Sequence, residues 1–197
     1  ISLAKSDAAT VLPLESVRQV LETLIAAGQL HDGLWPSCLS RGSLLPPAKA
    51  APAILGQREW DRSWPGCNLM HDIPTLHLLY ALEDAGLSSG YREAADAYLR
   101  TFLERRVHEE TGLFYWGEHA YWDLQKQQIG NSAIFKEERA GDPDPPLIHD
   151  HLRQAPPWFW ERVNTLAPAR LQRFVEGLER HWTMEDRSEY CRHAIFS

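Results

Sequence analysis

Residues 69–107 read LMHDIPTLHLLYALEDAGLSSGYREAADAYLRTFLERRV, and this stretch decides the fold. Apolar residues recur at helical spacing over 69–87 and again from 91 to about 107. Gly86 and the Ser-Ser-Gly of residues 88–90 separate the two periods, and so short a break between two helices is typical of an antiparallel αα-hairpin. The stretch therefore predicts a helical hairpin at the centre of the protein.

Helical periodicity also appears on both sides of this hairpin. We expect a helix from Leu14 to about Ala27, a short one over 157–163 and a longer one from Pro168 to about Trp182. Residues 29–64 carry several prolines and no period, and they predict a long irregular segment. Five helices in consecutive hairpins with aromatic loops predict an all-α fold that forms part of an α/α toroid. We expect residues 1–197 to form a single domain that is an incomplete portion of such a toroid.

The composition excludes several classes of protein. The chain has 197 residues, with 20 Lys+Arg against 27 Asp+Glu and a net charge of −7. It has no basic stripe, so we expect no nucleic acid partner. No apolar run approaches the ~18 residues that span a bilayer, so we expect no membrane segment. No signal peptide is visible, so we expect a soluble protein that is periplasmic or secreted if a signal was removed and cytoplasmic otherwise.

Histidine and tryptophan are the unusual components, with nine and eight residues. The strongest local motif is WGEHAYWD at residues 116–123, in which His119 lies between aromatic residues after a glycine. His119 either faces a cleft or is hydrogen-bonded inside a loop that plugs a helical barrel. The second motif, His149-Asp150-His151, offers ligands that suit zinc, manganese, iron or nickel, or is a polar loop with Asp150 near a helix N-cap.

Two further pairs of residues are candidates for chemistry. His71 and Asp72 stand at the start of the second helix, where they either cap that helix or face the same cleft as His119. Arg192 and His193 are adjacent near the end of the chain, and an arginine can clamp a carboxylate or, if its neighbours lower its proton affinity, act as a base. The motifs of common hydrolases, nucleotide-binding proteins and zincins are absent.

Taken together, these segments resemble part of an α/α-toroid carbohydrate-active enzyme, and the nearest family is that of the family 2 pectate lyases. The resemblance extends over roughly residues 61–193. It lies in three stretches: RSWPGCNL at 62–69, YREAA at 91–95 and TGLFYWGEH at 111–119.

The resemblance implies a metal site and a base. That family uses a transition metal held by His and Glu, and an arginine base directly before a metal-binding His. On this basis Arg192 is the expected base, and the expected ligands of a divalent transition metal (Mn, Zn, Ni or Co) are His119, His151 and His193. His151 stands where the family carries its Glu, so this chain departs from the family pattern at that ligand.

The implied activity is β-elimination on an acidic, pectate-type polysaccharide. A cation on the uronate carboxylate stabilises the developing charge while the base takes the neighbouring proton. Trp116 and Trp122 are the expected sugar-stacking residues, although either could equally belong to the core, and His71 and Asp72 are further expected substrate-binding residues. Trp158 and Trp160 are expected in the core.

Two alternatives to the lyase remain open. One is a toroid glycoside hydrolase that uses a pair of carboxylates from Asp72, Glu118, Asp123 and Asp150. The other is a non-catalytic saccharide-binding helical module. Because Arg192 and His193 lie close to residue 197, we expect the remainder of the same protein, or a partner chain, to complete the cleft.

Overall fold

The computed structural model describes residues 8–52, 54–56, 64–132, 149–150 and 154–180. These residues are mostly helical, which confirms the predicted fold class; the toroid itself stays a prediction. The α-helices are α1 (Ala8–Gly28), α2 (Leu69–Asp84), α3 (Tyr91–Arg105), α4 (Pro157–Leu166) and α5 (Pro168–Arg180), and a 3₁₀ turn at Gln29–His31 follows α1. In the described part of the chain, no helix combines the length and apolarity needed to span a membrane.

Short strands link the helices. They are β1 (Gly66–Cys67), β2 (Trp116–Gly117), β3 (Ala120–Asp123), β4 (Gln128–Asn131) and β5 (His149–Asp150). β1, β3 and β4 form an antiparallel sheet in the order β1-β3-β4, whereas β2 and β5 form a separate parallel pair. Residues 112–123, an aromatic stretch that contains Gly112 and Gly117, are typical of a short strand or β-ribbon, and they contain β2 and β3; no local pattern predicts the other three strands.

The α2–α3 hairpin forms because each helix has a defined start and an apolar face. The Asn68 side chain accepts a hydrogen bond from the Met70 backbone N–H and so caps the N-terminus of α2. The Arg92 backbone N–H at the start of α3 donates to Glu83 Oε2 at 2.9 Å, which ties the two helices together at their loop. Both helices bury their apolar faces in one core, which includes Leu76, Leu79, Tyr98, Leu99 and Phe102.

A buried ion pair joins α4 to this hairpin. Arg162 on α4 donates from Nε to Asp96 Oδ1 at 2.8 Å, and the Tyr80 hydroxyl donates to the same oxygen at 2.7 Å. Asp96 is only 8% exposed, so its charge is neutralised within the protein interior. The contact holds α4 against α2 and α3, and it thereby fixes where Trp158 at the start of α4 lies.

Helix α5 sits directly on the turn that precedes β2. A Cβ atom at Gly177 would lie 2.2 Å from the Thr111 carbonyl oxygen, and one at Gly112 would lie 2.6 Å from the Arg173 carbonyl oxygen. Only glycine lets the backbone of α5 and the backbone of this turn approach each other so closely. Trp116 then packs between Phe159 of α4 and Phe174 of α5, with ring centroids 5.8 and 5.7 Å away. The two C-terminal helices therefore fix the position of β2.

Most predicted helix bounds agree with the structure. α1 begins at Ala8 rather than Leu14, and α4 continues to Leu166 rather than residue 163. The predicted end of α5 at Trp182 lies outside the described residues. Of the residues described between His31 and Gly66, none belongs to a helix or strand, as expected for the irregular segment.

Candidate functional site

His119 lies in a sharp corner between β2 and β3. Gly117 at the end of β2 has φ 141°, a backbone conformation that side chains disfavour, so a glycine makes the corner possible. The chain then passes through Glu118 and His119 before β3 begins at Ala120. His119 is 9% exposed, and its imidazole is therefore largely enclosed by the protein.

Ser132 holds the His119 residue through both its ring and its backbone. The Ser132 Oγ lies 3.2 Å from His119 Nδ1, and the Ser132 backbone N–H donates to the His119 carbonyl oxygen at 3.0 Å. Ser132 directly follows β4, whose Asn131 pairs with Ala120 next to His119. The Ser132 hydroxyl can donate to Nδ1 or accept from it; in the tautomer in which Nδ1–H donates, Nε2 carries the lone pair that a metal ligand needs.

Asn68 attaches the same corner to helix α2. Its Nδ2 donates to the carbonyl oxygens of Gly117 and Ala120, both at 3.1 Å, while its Oδ1 accepts from the Met70 N–H at 3.0 Å. Asn68 is 2% exposed. The carbonyl groups of Gly117 and Ala120, which flank Glu118 and His119, are therefore hydrogen-bonded to Asn68, the N-cap of α2.

The parallel pair of β2 and β5 brings a second candidate segment to this corner. Trp116 pairs with His149, and Gly117 pairs with Asp150. Because the strands are parallel, the chain leaves Gly117 and Asp150 at the same end of the pair. The segment of residues 149–150 therefore lies beside the corner that carries His119, although the two are far apart in sequence.

The other predicted metal and catalytic residues lie outside the described residues. These are His151, Arg192 and His193, and their roles stay predictions. Among the residues that the structure describes, no group of three or more His, Cys, Asp or Glu side chains is arranged to hold a metal ion. The described part of the predicted metal site therefore consists of His119, its hydrogen-bond partners and the backbone of β5.

His71 and Asp72 at the start of α2 face different surroundings. His71 is exposed and lines a cleft of about 520 Å³ that also borders His77 and Trp158. Asp72 is partly buried and accepts a hydrogen bond from the Tyr98 hydroxyl at 2.6 Å. Burial of its carboxyl group raises the pKa of Asp72 to about 7, although the Tyr98 hydrogen bond opposes this shift.

The tryptophans predicted to stack on sugars are covered by other side chains. Trp116 is 1% exposed and lies in the aromatic cluster of α4 and α5. Trp122 is 8% exposed, with the Arg106 guanidinium 4.4 Å from its ring centroid and Tyr115 stacked at 5.4 Å. A sugar could reach either ring only if these contacts opened.

Trp158 is the tryptophan that borders the cleft. It was predicted to lie in the core, and it does pack against the core on one side. Its ring also stacks on His77 of α2, with centroids 5.0 Å apart and an interplanar angle of 19°. The position follows from α4, in which Phe159 and Val163 point into the core and their neighbour Trp158 lies at the edge of that face.

Sequence reasoning also missed Asn68 and Ser132. Asn68 carried a readable signal, because an asparagine immediately before an apolar period is a preferred helix N-cap. Its second role, at the carbonyls of residues 117 and 120, depends on tertiary contacts that no local pattern contains. Ser132 is placed beside His119 only by the pairing of β3 with β4.

Comparison with known proteins identifies one family. A family model described as periplasmic pectate lyase matches residues 50–194 of the chain. This range contains all five strands and helices α2 to α5, so it includes both the His119 corner and the cleft. No curated protein matches the chain.

Proposed function

The chain belongs to the periplasmic pectate lyase family, and from that premise we propose that it cleaves a pectate-type polysaccharide by metal-assisted β-elimination. Membership supports a polysaccharide-degrading function and an acidic polysaccharide as substrate. The observation that carries the metal-assisted mechanism is the corner at residues 117–120, where an enclosed imidazole bonded to Ser132 lies beside the parallel strand β5. A periplasmic or secreted location is proposed from the family alone.

The described donor atoms fit a transition metal. An imidazole nitrogen suits zinc, nickel and related ions, and the Ser132 hydroxyl at His119 Nδ1 orients this ring as a carboxylate, carbonyl or water does for other metal-binding histidines. We propose that His119, His151 and His193 hold a divalent ion such as Mn, Zn, Ni or Co. Such a cation, when bound, supplies positive charge next to the substrate carboxylate.

Arg192 is the proposed base. It takes the proton from the carbon next to the uronate carboxylate, and the C–H electrons form a carbon–carbon double bond. The bond from the adjacent carbon to the glycosidic oxygen breaks, its electron pair stays on that oxygen, and the oxygen takes a proton from solvent water as it leaves. Arginine accepts a proton only where its surroundings favour the neutral form, and a cation close by has that effect.

The cleft along α2 is the proposed location of the sugar chain. His71 and Trp158 line it, and the half-buried Trp158, whose ring stacks on His77, supplies an apolar surface beside polar groups. Asp72 is the next residue after His71, and its carboxyl group accepts a hydrogen bond from the Tyr98 hydroxyl. In this proposal Trp116 and Trp122 act by packing beneath the His119 corner.

We also propose that the described helices belong to one domain within an α/α toroid. The α2–α3 hairpin and the α4–α5 pair are consecutive, and the ion pair of Arg162 with Asp96 joins them. In this arrangement the remainder of the same protein, or a partner chain, supplies further hairpins and closes the cleft.

Replacing the base tests the mechanism. We expect Arg192→Ala to lower turnover of pectate by a factor of about 10² to 10⁴, the usual contribution of a general base, with Mn²⁺ affinity unchanged. Turnover is measured by the ultraviolet absorbance of the unsaturated uronate, a product that only elimination forms. Lys126→Ala, at an exposed position in the β3–β4 turn, is the control and should keep full activity.

Three outcomes would contradict the proposal. Full turnover in Arg192→Ala excludes Arg192 as the base. New reducing ends without ultraviolet absorbance indicate hydrolysis by paired carboxylates. Saccharide binding without any turnover indicates a binding module.

A further inference from the structure

We propose that Asn68 is a positioning residue that holds the His119 corner in the geometry that metal binding requires. The ligand role of His119 rests on the proposed function, whereas the positioning itself rests on the hydrogen bonds of Asn68. None of the motifs identified in the sequence assigns this residue more than a place before α2.

Both N–H groups and the oxygen of the Asn68 amide form hydrogen bonds. Its two N–H groups go to the carbonyl oxygens of Gly117 and Ala120, at 3.1 Å each, and its oxygen accepts from Met70 N at 3.0 Å. Asn68 is 2% exposed, so water has little access to its hydrogen-bond partners. Loss of the side chain therefore leaves these buried backbone groups without a hydrogen bond. Asparagine is suited to this position because it combines two donors and an acceptor on one short side chain.

The corner is held from two sides. Asn68 binds the carbonyls of residues 117 and 120, and Ser132 binds the His119 ring and the His119 carbonyl from β4. The chain on both sides of His119 is therefore fixed, and so is the direction of its imidazole. Ligands held this way lose little freedom when they bind a metal.

Asn68 also links the corner to the cleft. The backbone N–H groups of His71 and Asp72 both donate to the Asn68 carbonyl oxygen, at 3.0 and 3.1 Å. His71 lines the cleft. One residue thus sets the position of the proposed metal ligand relative to the helix turn that borders the proposed sugar site.

Two substitutions separate the positioning role from helix capping. Asn68→Asp and Asn68→Ser both keep an oxygen that can cap α2, but neither supplies the two N–H donors. Asp adds a charge beside two carbonyl oxygens, and Ser does not, so a shared effect reports the loss of the donors. Leu79→Ala is the matched control, because it weakens the α2 core at a fully buried position without touching the corner.

Two measurements on the full chain test the proposal. The first is the affinity of metal-free protein for Mn²⁺, measured by electron paramagnetic resonance. The second is amide hydrogen exchange at residues 117–120 without metal. We expect both Asn68 variants to bind Mn²⁺ about 10- to 100-fold more weakly, the range for lost partners of metal ligands, and to exchange faster at the corner. Leu79→Ala should keep the wild-type affinity.

The outcomes distinguish this inference from the proposed function. Wild-type affinity and wild-type exchange in both Asn68 variants would overturn the inference. If the wild-type protein binds no Mn²⁺, the proposed metal site is wrong, and the exchange rates alone decide whether Asn68 holds the corner. If Leu79→Ala weakens Mn²⁺ binding as much as the Asn68 variants do, general destabilisation explains the effect and the inference fails.

Discussion

Asp72 is the residue at which burial and charge conflict most clearly. Its carboxyl group lies in the first turn of α2, with the Tyr98 hydroxyl at 2.6 Å, and that hydroxyl is 3.3 Å from the Cys67 thiol. Within the described part of the chain, burial is the larger of the two influences on this carboxyl group and the Tyr98 hydrogen bond the smaller, so the pKa rises from 3.8 to about 7. Near neutral pH the folded protein therefore holds a proton that the unfolded chain releases.

The raised pKa of Asp72 should make the protein less stable as the pH rises from about 4 to about 7. The folded protein binds more protons than the unfolded chain between pH 3.8 and about 7, so the contribution of Asp72 is full below pH 3.8 and is lost as pH rises through about 7. We expect Asp72→Asn to be more stable than wild type at pH 8, by at most about 4 kcal/mol, and to have little advantage at pH 4. Urea unfolding at several pH values measures this.

A carboxylate on the same helix provides the control. Asp84 is exposed and pairs with Arg92, so Asp84→Asn should show no gain at pH 8. If Asp72→Asn is instead less stable than wild type at pH 8, the Asp72 carboxylate is ionised and held by its neighbours, and the expected pH dependence is wrong.

At the scale of secondary structure elements, the sequence predicts the helices, which have a repeating apolar pattern, but not the short strands, which have none. The apolar residues of α2 and α3 recur at helical spacing over several turns, so their periodicity predicts that both elements are helices and gives their approximate lengths. β1, β2 and β5 have two residues each, which is too short for any period. Their pairing depends on partners such as Cys67 with Trp122, which are distant in sequence.

The close contact between α5 and the turn at Thr111 predicts how α5 responds to a larger residue at position 177. In an isolated helix, Gly177→Ala would add about 1 kcal/mol of helix stability. Here the new Cβ would lie 2.2 Å from the Thr111 carbonyl oxygen, so α5 must move and disturb the cluster around Phe174. We expect Gly177→Ala to lower the free energy of unfolding by about 1–3 kcal/mol, the cost of overpacking, as measured by chemical denaturation.

A substitution at an exposed position on α5 is the control that separates the effect of packing from the effect of helix propensity. Val175 is 48% exposed, and Val175→Ala should change stability by no more than about 0.5 kcal/mol. A net stabilisation by Gly177→Ala would mean that helix propensity dominates and that α5 is not seated on the turn at Thr111.

At the scale of the whole molecule, the candidate site is built from segments that are distant in the chain. Asn68 precedes α2, His119 lies in the corner after β2, and β5 follows the long connection after Ser132. His119 and residues 149–151 can be identified as candidate ligands from their local motifs alone. That His119 and residues 149–150 lie close together follows from the parallel pairing of β2 with β5, in which Trp116 of β2 also packs against α4 and α5.

Metal binding should stabilise the whole fold, because only the folded chain brings these segments together. At a free Mn²⁺ concentration 100 times the Kd, the free energy of unfolding should rise by about 2.7 kcal/mol. His119→Ala should remove most of this gain, whereas His77→Ala, which replaces an exposed histidine on α2, should keep it. Denaturation with and without Mn²⁺ measures the difference. Equal gains in both variants would mean that Mn²⁺ binds elsewhere, since a corner without the His119 imidazole has lost the ligand that Ser132 orients.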